Sequence, residues 1–110
     1  MTDIKTLNDN FRKTFTGGQV LLTAGINAKP VDDVAHILSM VRNFNKFTPD
    51  NDPYGEHDFG SFYYEGEQIY WKIDYYDRNY QFCSEDPSNP SITKRVMTIM
   101  LPKNIKKRPI

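Results

Sequence analysis

The fold of this chain is decided by residues 61–76, Ser-Phe-Tyr-Tyr-Glu-Gly-Glu-Gln-Ile-Tyr-Trp-Lys-Ile-Asp-Tyr-Tyr. Ser61–Tyr64 and Gln68–Tyr76 are rich in aromatic and β-branched residues, and Glu65-Gly66-Glu67 is a compact turn between them, so we predict a β-hairpin. Because successive side chains of a strand point to opposite faces, the second strand has an apolar and a polar face. The apolar face, expected to meet the core, carries Ile69, Trp71, Ile73 and Tyr75, and the opposite face carries Tyr70, Lys72, Asp74 and Tyr76.

Two helices are expected before the hairpin. Residues 3–15 place Ile4, Leu7, Phe11 and Phe15 three or four positions apart, which is one stripe of a helix, and Thr2 or Asp3 can cap its start. Pro30 opens the second helix at a position where its missing N–H costs nothing. This helix is expected to end near Phe47, two residues before Pro49, and its apolar stripe is Val31, Val34, Leu38, Val41 and Phe44.

Three further strands are predicted from shorter patterns. Gln19–Ile26 alternates between apolar and other residues, although Leu21 breaks the alternation and leaves a buried helical turn open. Tyr80–Cys83 and Ile92–Leu101 are the other two. The order of helix, strand, helix and β-meander predicts an α+β domain over residues 1–102, with two helices packed on one face of a small antiparallel sheet. Residues 103–110 are expected to form a basic, flexible C-terminal tail.

The distribution of charge limits the partners of the chain. Residues 48–90 contain ten Asp and Glu against two Lys and Arg, a net charge of −8, although the whole chain is neutral. Such a segment is unsuited to a phosphate backbone, which needs Lys and Arg. Its charge is suited to binding a cation or a basic protein surface. The same charge is equally typical of an exposed hairpin face that is solvated by water and binds nothing. We therefore expect no direct contact with nucleic acid.

The cellular compartment is inferred from cysteine usage and hydropathy. Cys83 is the only cysteine, so an intramolecular disulfide is excluded, as is typical of a reducing cytoplasm. The first residues, Met1–Lys5, lack the basic start and apolar run of a signal peptide. No apolar run approaches the roughly 20 residues that a membrane-spanning helix requires. We expect a cytoplasmic protein that does not contact membranes.

Several motifs resemble those of a small bacterial family, domain of unknown function 3768. They are Phe11–Phe15, Thr23–Ile26, Phe47–Gly60, Trp71–Asp77 and Val96–Leu101, so the resemblance runs from about residue 4 to residue 101. This family is found on plasmids and in phage-like elements, which implies a protein of mobile genetic elements. It has no assigned activity, and the resemblance therefore implies no catalytic residues.

The loop Asp50–Gly60 is the densest group of potentially functional side chains. It combines four carboxylates with a histidine, a tyrosine, a proline and two glycines, and loops of this kind often carry binding or catalysis. An EF-hand would need glutamate at the twelfth position after Asp50, where Ser61 stands, and zinc would prefer more His and Cys. One hypothesis is nevertheless a small metal-dependent enzyme, hydrolase-like or nuclease-like, that uses the 50–58 loop. Its ligands would be Glu56, His57, Asp58, Asp74 and Asp77.

A non-enzymatic binding protein is the leading hypothesis. Tyrosines beside carboxylates suit a protein interface, where aromatic side chains dominate the binding energy and charges set specificity. The partner would present a basic nucleic-acid-binding surface, and the mobile-element context suggests an anti-CRISPR-like inhibitor of a host nucleic-acid-processing complex. The alternative is structural: Asp52, Glu56 and Asp58 would cap turns, and Asp74 and Asp77 would tie the hairpin to the loop. No cofactor is expected, and the partner-binding residues would be Asp52, Tyr54, Glu56, Asp58, Tyr70, Asp74, Tyr76 and Asp77.

Overall fold

The computed structural model of the chain describes residues 3–102 and has an α+β fold, as predicted. Residues 103–110, the expected basic tail, lie outside the described part. Over residues 3–102, no helix has the length and apolar character needed to cross a membrane. The elements in chain order are α1 (Ile4–Thr14), β1 (Gly18–Leu22), α2 (Ala24–Asn27), α3 (Val31–Arg42), β2 (Phe59–Tyr64), β3 (Glu67–Tyr76) and β4 (Lys94–Met100).

The four strands form one sheet in the order β1-β4-β3-β2. β2, β3 and β4 are the predicted antiparallel meander, with Gly60 opposite Trp71 and Ile73 opposite Met97. β1 instead runs parallel to β4, with Val20 opposite Met97. The sheet is therefore mostly antiparallel with one parallel pair. A parallel pair requires a long crossover connection, and here the chain between β1 and β4 includes two helices and the hairpin.

The first helix lies within the predicted residues 3–15, and an aromatic residue forms its C-terminal cap. The Asp3 carboxylate accepts a hydrogen bond from the N–H of Thr6 at 2.8 Å, which caps α1. At the other end Phe15, not glycine, adopts the left-handed conformation, with φ 57°. Its N–H donates to the carbonyl of Phe11 at 2.7 Å, and its ring packs against the core. Side-chain burial therefore outweighs the usual preference for glycine at this position.

Two segments are shorter than the sequence pattern predicted. The strand expected to reach Ile26 ends at Leu22, and Ala24–Asn27 forms the helical turn that the imperfect alternation had left open. Ile26 is fully buried. The helical turn therefore places its side chain in the core, whereas a straight strand would continue away from the core. The second long helix ends at Arg42 rather than near Phe47.

The expected strand at Tyr80–Cys83 is reduced to a single bridge between Tyr76 and Cys83. The turn before it is held by Asp77, whose N–H donates to the carbonyl of Phe82 at 2.7 Å. These residues therefore form a turn that folds back on the end of β3 and do not add a fifth strand to the sheet.

One hydrophobic core lies between the helices and the sheet. Its centre is Trp71, which is fully buried and lies over Gly60, where a Cβ atom would come within 2.5 Å of the indole nitrogen. All three helices contribute to this core, so within residues 3–102 the helices cover one face of the sheet. The buried members are Phe11, Ile26, Ile37, Val41, Phe44, Ile69, Trp71, Ile73, Met97, Ile99 and Leu101.

The other side of the sheet is not covered by any helix of the described residues. Since directly paired residues of neighbouring strands share a face, the strand register defines its members. We call this surface the open face. It consists of Gln19 and Leu21 of β1, Lys94, Val96, Thr98 and Met100 of β4, Gln68, Tyr70, Lys72, Asp74 and Tyr76 of β3, and Phe59, Ser61 and Tyr63 of β2.

Candidate functional site

The residues predicted to bind a partner do not form one surface. Tyr70, Asp74 and Tyr76 lie together on the open face, as the alternation of β3 indicated. Tyr54 is 86% exposed at the tip of the 43–58 loop, where it borders a depression beside the first turn of α1. The other four are Asp52, Glu56, Asp58 and Asp77, and the contacts of each assign it a local structural role.

Two of these carboxylates organise loops. The side chain of Asp52 is 6% exposed, and its Oδ1 accepts hydrogen bonds from the N–H groups of Glu56 and His57 at 3.1 and 3.2 Å. Asp77 accepts from the N–H groups of Asn79 and Gln81 at 3.1 and 3.0 Å. These are the turn-capping contacts that aspartate makes with following backbone groups, and they match the structural alternative for Asp52. The side chain of Asp77 caps its own turn instead of tying the hairpin to the 50–58 loop.

Glu56 belongs to a polar network at the buried end of the sheet. Asn8 of α1 is fully buried and donates from Nδ2 to the Glu56 carbonyl at 3.0 Å and to the Tyr75 hydroxyl at 2.7 Å. Tyr75 donates to Oε1 of Glu56 at 3.1 Å, and Arg95 donates from Nε to Oδ1 of Asn8 at 2.8 Å. Burial lowers the pKa of Arg95, against the attraction of Glu56, and burial raises the pKa of Tyr75.

Asp58 lies next to this network in an unfavourable electrostatic environment. Its carbonyl accepts a hydrogen bond from the N–H of Ile73 at 2.8 Å, which extends the pairing of β2 with β3. Partial burial, followed by repulsion from Glu56, Asp52 and Asp74, raises the pKa of its carboxyl group. Asp58 is therefore a carboxylate whose charge opposes folding.

His57 is held between two carboxylates and an aromatic ring. Its Nδ1 lies 2.9 Å from Oδ1 of Asp9, and its Nε2 lies 3.6 Å from Oδ2 of Asp52. Its ring is stacked on Phe47 with 3.7 Å between centroids and 4° between planes. Both ring nitrogens therefore face carboxylates, those of Asp9 and Asp52.

Arg12 completes the cluster around Asp9. It is 2% exposed and donates from Nη1 to Oδ1 of Asp9 at 2.8 Å. Its guanidinium lies 5.3 Å from the ring centroid of Phe47 and 5.5 Å from that of Trp71. Burial raises the pKa of Asp9, but the hydrogen bonds from Arg12 and His57 outweigh it, so the pKa lies below its ordinary value.

The metal-binding alternative gains no support from these positions. Asp74 is paired with Lys72 at 3.0 Å, and Asp77 caps its own turn, away from the loop around His57. Over residues 3–102, no three His, Cys, Asp or Glu side chains are grouped so that they could hold one ion. A hard cation in a protein site needs several such oxygen ligands within 2.6 Å of one point.

Aromatic side chains dominate the open face. The ring centroids of Phe59 and Tyr70 are 5.7 Å apart, and those of Tyr76 and Tyr80 are 6.3 Å apart. The Gln19 amide donates to the Tyr80 hydroxyl at 3.3 Å, which places this turn residue at the margin of the face. Around them, Tyr63 is 67% and Leu21 49% exposed, while Val96 and Met100 are buried near the middle.

The acidic segment does not concentrate its charge on this face. Of the ten carboxylates between residues 48 and 90, Asp50, Glu65, Glu85 and Asp86 are exposed, and the other six are buried or half-buried. Three of the exposed ones lie in loops 84–90 and 48–58, and Glu65 lies in the hairpin turn. The open face is therefore better described as aromatic than as acidic.

Sequence reasoning missed the helix residues that hold the 43–58 loop. Asn8 and Asp9 contact residues 48 positions away, and Arg12 contacts Phe47, 35 positions away, which a local pattern cannot reveal. One available signal was the polarity of Asn8 and Arg12 beside Phe11 in α1, where the buried stripe of the helix runs. Polar residues at such positions need partners from elsewhere in the chain.

A family model described as "Protein of unknown function (DUF3768)" matches residues 22–104. The match covers the hairpin, β4 and the motifs from Phe47 onward. It begins after Phe11–Phe15, which therefore lies outside it, and it ends two residues beyond Pro102. The comparisons with curated proteins and with solved structures give no match.

Proposed function

Because the chain belongs to the DUF3768 family, to which no activity is assigned, we propose its function from its own surface: it binds a protein partner through the open face. In this proposal the protein is not an enzyme. Its role is to occupy a surface of another macromolecule.

The observation that supports this proposal is an aromatic sheet face left uncovered by helices. Leu21 on β1 is 49% exposed and Tyr63 on β2 is 67% exposed, at the two edges of the face. Tyr70 and Tyr76 are half-buried on β3, between these edges. Tyrosines that are held in place by neighbouring rings lose little conformational freedom on binding, and they are among the side chains that contribute most to protein interfaces. Isolated exposed apolar residues are common, whereas a continuous patch of them is typical of an interaction site.

The charges of the open face favour a protein over a nucleic acid. Sheets that stack bases need cations that remain available to phosphate. Of the two cations on this face, Lys72 is paired with Asp74 at 3.0 Å, and Lys94 is exposed at the start of β4. One available cation is too few to follow a phosphate backbone. The pair of Lys72 and Asp74 is 45% and 38% exposed, so a partner could contact it without burying an isolated charge.

Of the eight residues first selected, the proposal assigns binding roles to the three on the open face. Tyr70 and Tyr76 would be aromatic anchors, and Asp74 would accept a hydrogen bond or a cationic side chain from the partner. Tyr54 borders a depression beside α1, so it serves as a comparison residue.

The class of partner is a further part of the proposal. The resemblance noted in the sequence implies a mobile-element context, in which a small binding protein commonly counters a host defence. We propose an anti-CRISPR-like inhibitor that acts in the cytoplasm on a host nucleic-acid-processing complex. This part is supported by the implied context, and the surface argument above does not depend on it.

The experiment is capture of partners from nuclease-treated bacterial lysate by three purified proteins. These are the wild type, Tyr70→Ala/Tyr76→Ala on the open face, and Tyr54→Ala as the control for loss of an exposed tyrosine. We expect one stoichiometric protein with the wild type and Tyr54→Ala. Titration with that purified partner should then show affinity reduced by at least about thirtyfold in the double variant, since hot-spot truncations cost about 2 kcal/mol or more.

Circular dichroism and melting of the three proteins control for folding. The proposal is contradicted if Tyr54→Ala loses the partner while the double variant retains it. It is also contradicted if lysate without nuclease treatment yields only nucleic acid, since the open face would then bind bases.

A further inference from the structure

A second concave surface lies on the helix side, away from the open face. It is a cleft of about 720 Å³ between the last turn of α1, the end of α3 and the 43–58 loop. Its volume is within the range of sites for small molecules, roughly 300–1,000 Å³. Its polar wall is formed by Arg12, Lys13, Arg42, Asn43, Asn45 and His57.

The cleft is cationic in a chain whose net charge is zero. Lys13 and Arg42 are exposed and both line the cleft. The Nε of Arg42 donates to the backbone carbonyl of Lys13 at 3.2 Å, so the Arg42 side chain reaches from α3 to the end of α1. The carboxylate that lines the cleft, Asp9, is already engaged by Arg12 and His57. The charge of Asp9 therefore offsets that of Arg12 more than those of Lys13 and Arg42.

Arg12 supplies the second, independent observation. It is 2% exposed, yet within residues 3–102 its recorded hydrogen bond is the one from Nη1 to Asp9, and its buried Nε has no acceptor. An arginine carries five N–H donors, and buried polar groups are normally paired. The rings of Phe47 and Trp71 fix the plane of the guanidinium without satisfying those donors.

We propose that this cleft binds the oxyanion group of a small ligand, a phosphate or a carboxylate. The oxyanion would be held by Arg42 and Lys13, whose charges Asp9 does not neutralise. Behind them lies Arg12, which is paired with Asp9 and whose buried Nε still lacks an acceptor. The amides of Asn43 and Asn45 would hydrogen-bond the rest of the ligand. This site is independent of the open face, so it can fail or succeed regardless of the proposed protein partner.

The helix dipoles account for part of the positive charge of the cleft, but not for all of it. Lys13 and Arg42 are in last turns, where a cation is favoured by the helix dipole. A dipole contact does not require an arginine to bridge two helices, and it does not require a buried arginine whose Nε lacks an acceptor. The combination of these features is what distinguishes the cleft from ordinary helix ends.

The test is titration of the ¹⁵N-labelled protein with sodium phosphate, pyrophosphate and citrate, each at constant ionic strength. We expect saturable shifts of the amide signals of residues 12–13 and 42–45 with at least one of these probes. Binding by phosphate and pyrophosphate alone would identify a phosphate ligand, and binding by citrate would extend the site to carboxylates.

Substitutions then locate the site. Lys13→Ala/Arg42→Ala removes two exposed cations and should weaken binding at least about tenfold, because hydrogen bonds to charged groups are the stronger class. Lys94→Ala removes an exposed cation from the opposite face and should leave binding unchanged. The proposal is overturned if none of the three probes gives saturable shifts, or if the two variants weaken binding equally.

Discussion

The imidazole of His57 lies flat on the ring of Phe47, with 3.7 Å between centroids and 4° between planes. Both residues belong to the irregular 43–58 loop, so the stack closes the loop on itself. The same imidazole contacts Asp9 of α1, so it also ties the loop to the first helix. Its backbone has φ 56°, a left-handed conformation that a non-glycine residue adopts only when its side-chain contacts compensate.

Replacing His57 with asparagine should destabilise the protein. Asparagine tolerates the left-handed backbone but cannot stack on Phe47, so His57→Asn isolates the contribution of the ring. We expect a loss of about 1–3 kcal/mol in the free energy of unfolding, from one hydrogen bond and one ring stack. Urea denaturation measures it. His36→Asn, at an exposed helical histidine, is the control and should change stability by less than about 1 kcal/mol.

Asp58→Asn should stabilise the protein at neutral pH. The pKa of Asp58 is raised in the folded state, so protonation favours folding and the ionised group disfavours it. The penalty is fully present above the folded pKa and disappears below the unfolded pKa of about 3.9. Urea denaturation of Asp58→Asn and wild type should therefore differ at pH 7 and converge below about pH 4.

Asp50→Asn is the control for this comparison, because Asp50 is exposed in the same loop. Its stability should follow the wild type at both pH values. A stabilisation of Asp58→Asn that persisted at low pH would show that the effect is not electrostatic.

Removal of Asn8 should be among the most destabilising single changes in α1. Asn8→Ala leaves the buried Nε of Arg95 and the carbonyl of Glu56 without their present partners. We expect a loss of about 2–4 kcal/mol, since each unsatisfied buried group costs about 1–3 kcal/mol. Asn10→Ala on the exposed side of the same helix makes the identical chemical change and should leave stability within about 0.5 kcal/mol. Equal effects of the two would refute the role of the network.

Gly60→Ala should disturb the centre of the core. A Cβ atom at this position would come within 2.5 Å of the Trp71 indole, so the ring or the strand has to move, at a cost of about 1–3 kcal/mol. Trp71 is the only tryptophan, so its fluorescence reports the change directly. Ser61→Ala, one residue along β2 and on the open face, should leave the emission spectrum unchanged.

Divalent cations should have little effect on stability after treatment with EDTA. A metal at a hundred times its Kd would add about 2.7 kcal/mol, which for a domain of this size raises Tm by roughly 10 °C. Since no three ligands are grouped within residues 3–102, we expect Mg²⁺, Mn²⁺, Ca²⁺ and Zn²⁺ each to shift Tm by less than about 2 °C. A saturable shift that Asp58→Ala abolishes would instead favour the metal-dependent enzyme.

The parts of the fold that sequence patterns predicted are those set by local geometry. The alternation along β3 correctly assigned Ile69, Trp71 and Ile73 to the core, because the period of a strand fixes the face of each side chain. The cap of α1 and the start of α3 after Pro30 were likewise local signals. The end of α3 was not predicted correctly. Phe44 continues the apolar stripe of the helix in the sequence, but it packs into the core from the loop that follows Arg42.

The functional surface was harder to predict because charge in a sequence does not reveal its direction in space. Asp52 and Asp77 contribute to the net charge of residues 48–90. In the structure, each carboxylate accepts hydrogen bonds from nearby backbone N–H groups. The cationic cleft was not predicted because its cations come from separate segments that are not themselves strongly charged. Lys13 and Arg42 are 29 positions apart, in segments whose net charge is small.

The position of β4 determines when the sheet can form. Lys94–Met100 lies between β1 and β3, so the first strand has no neighbour until almost the whole described chain is present. During synthesis the β2–β3 hairpin can pair early, but its inner edge and β1 remain open until residues 94–100 leave the ribosome. Such distant pairing slows folding and exposes strand edges to other chains, so the newly made protein is most prone to aggregation just before its last strand is added.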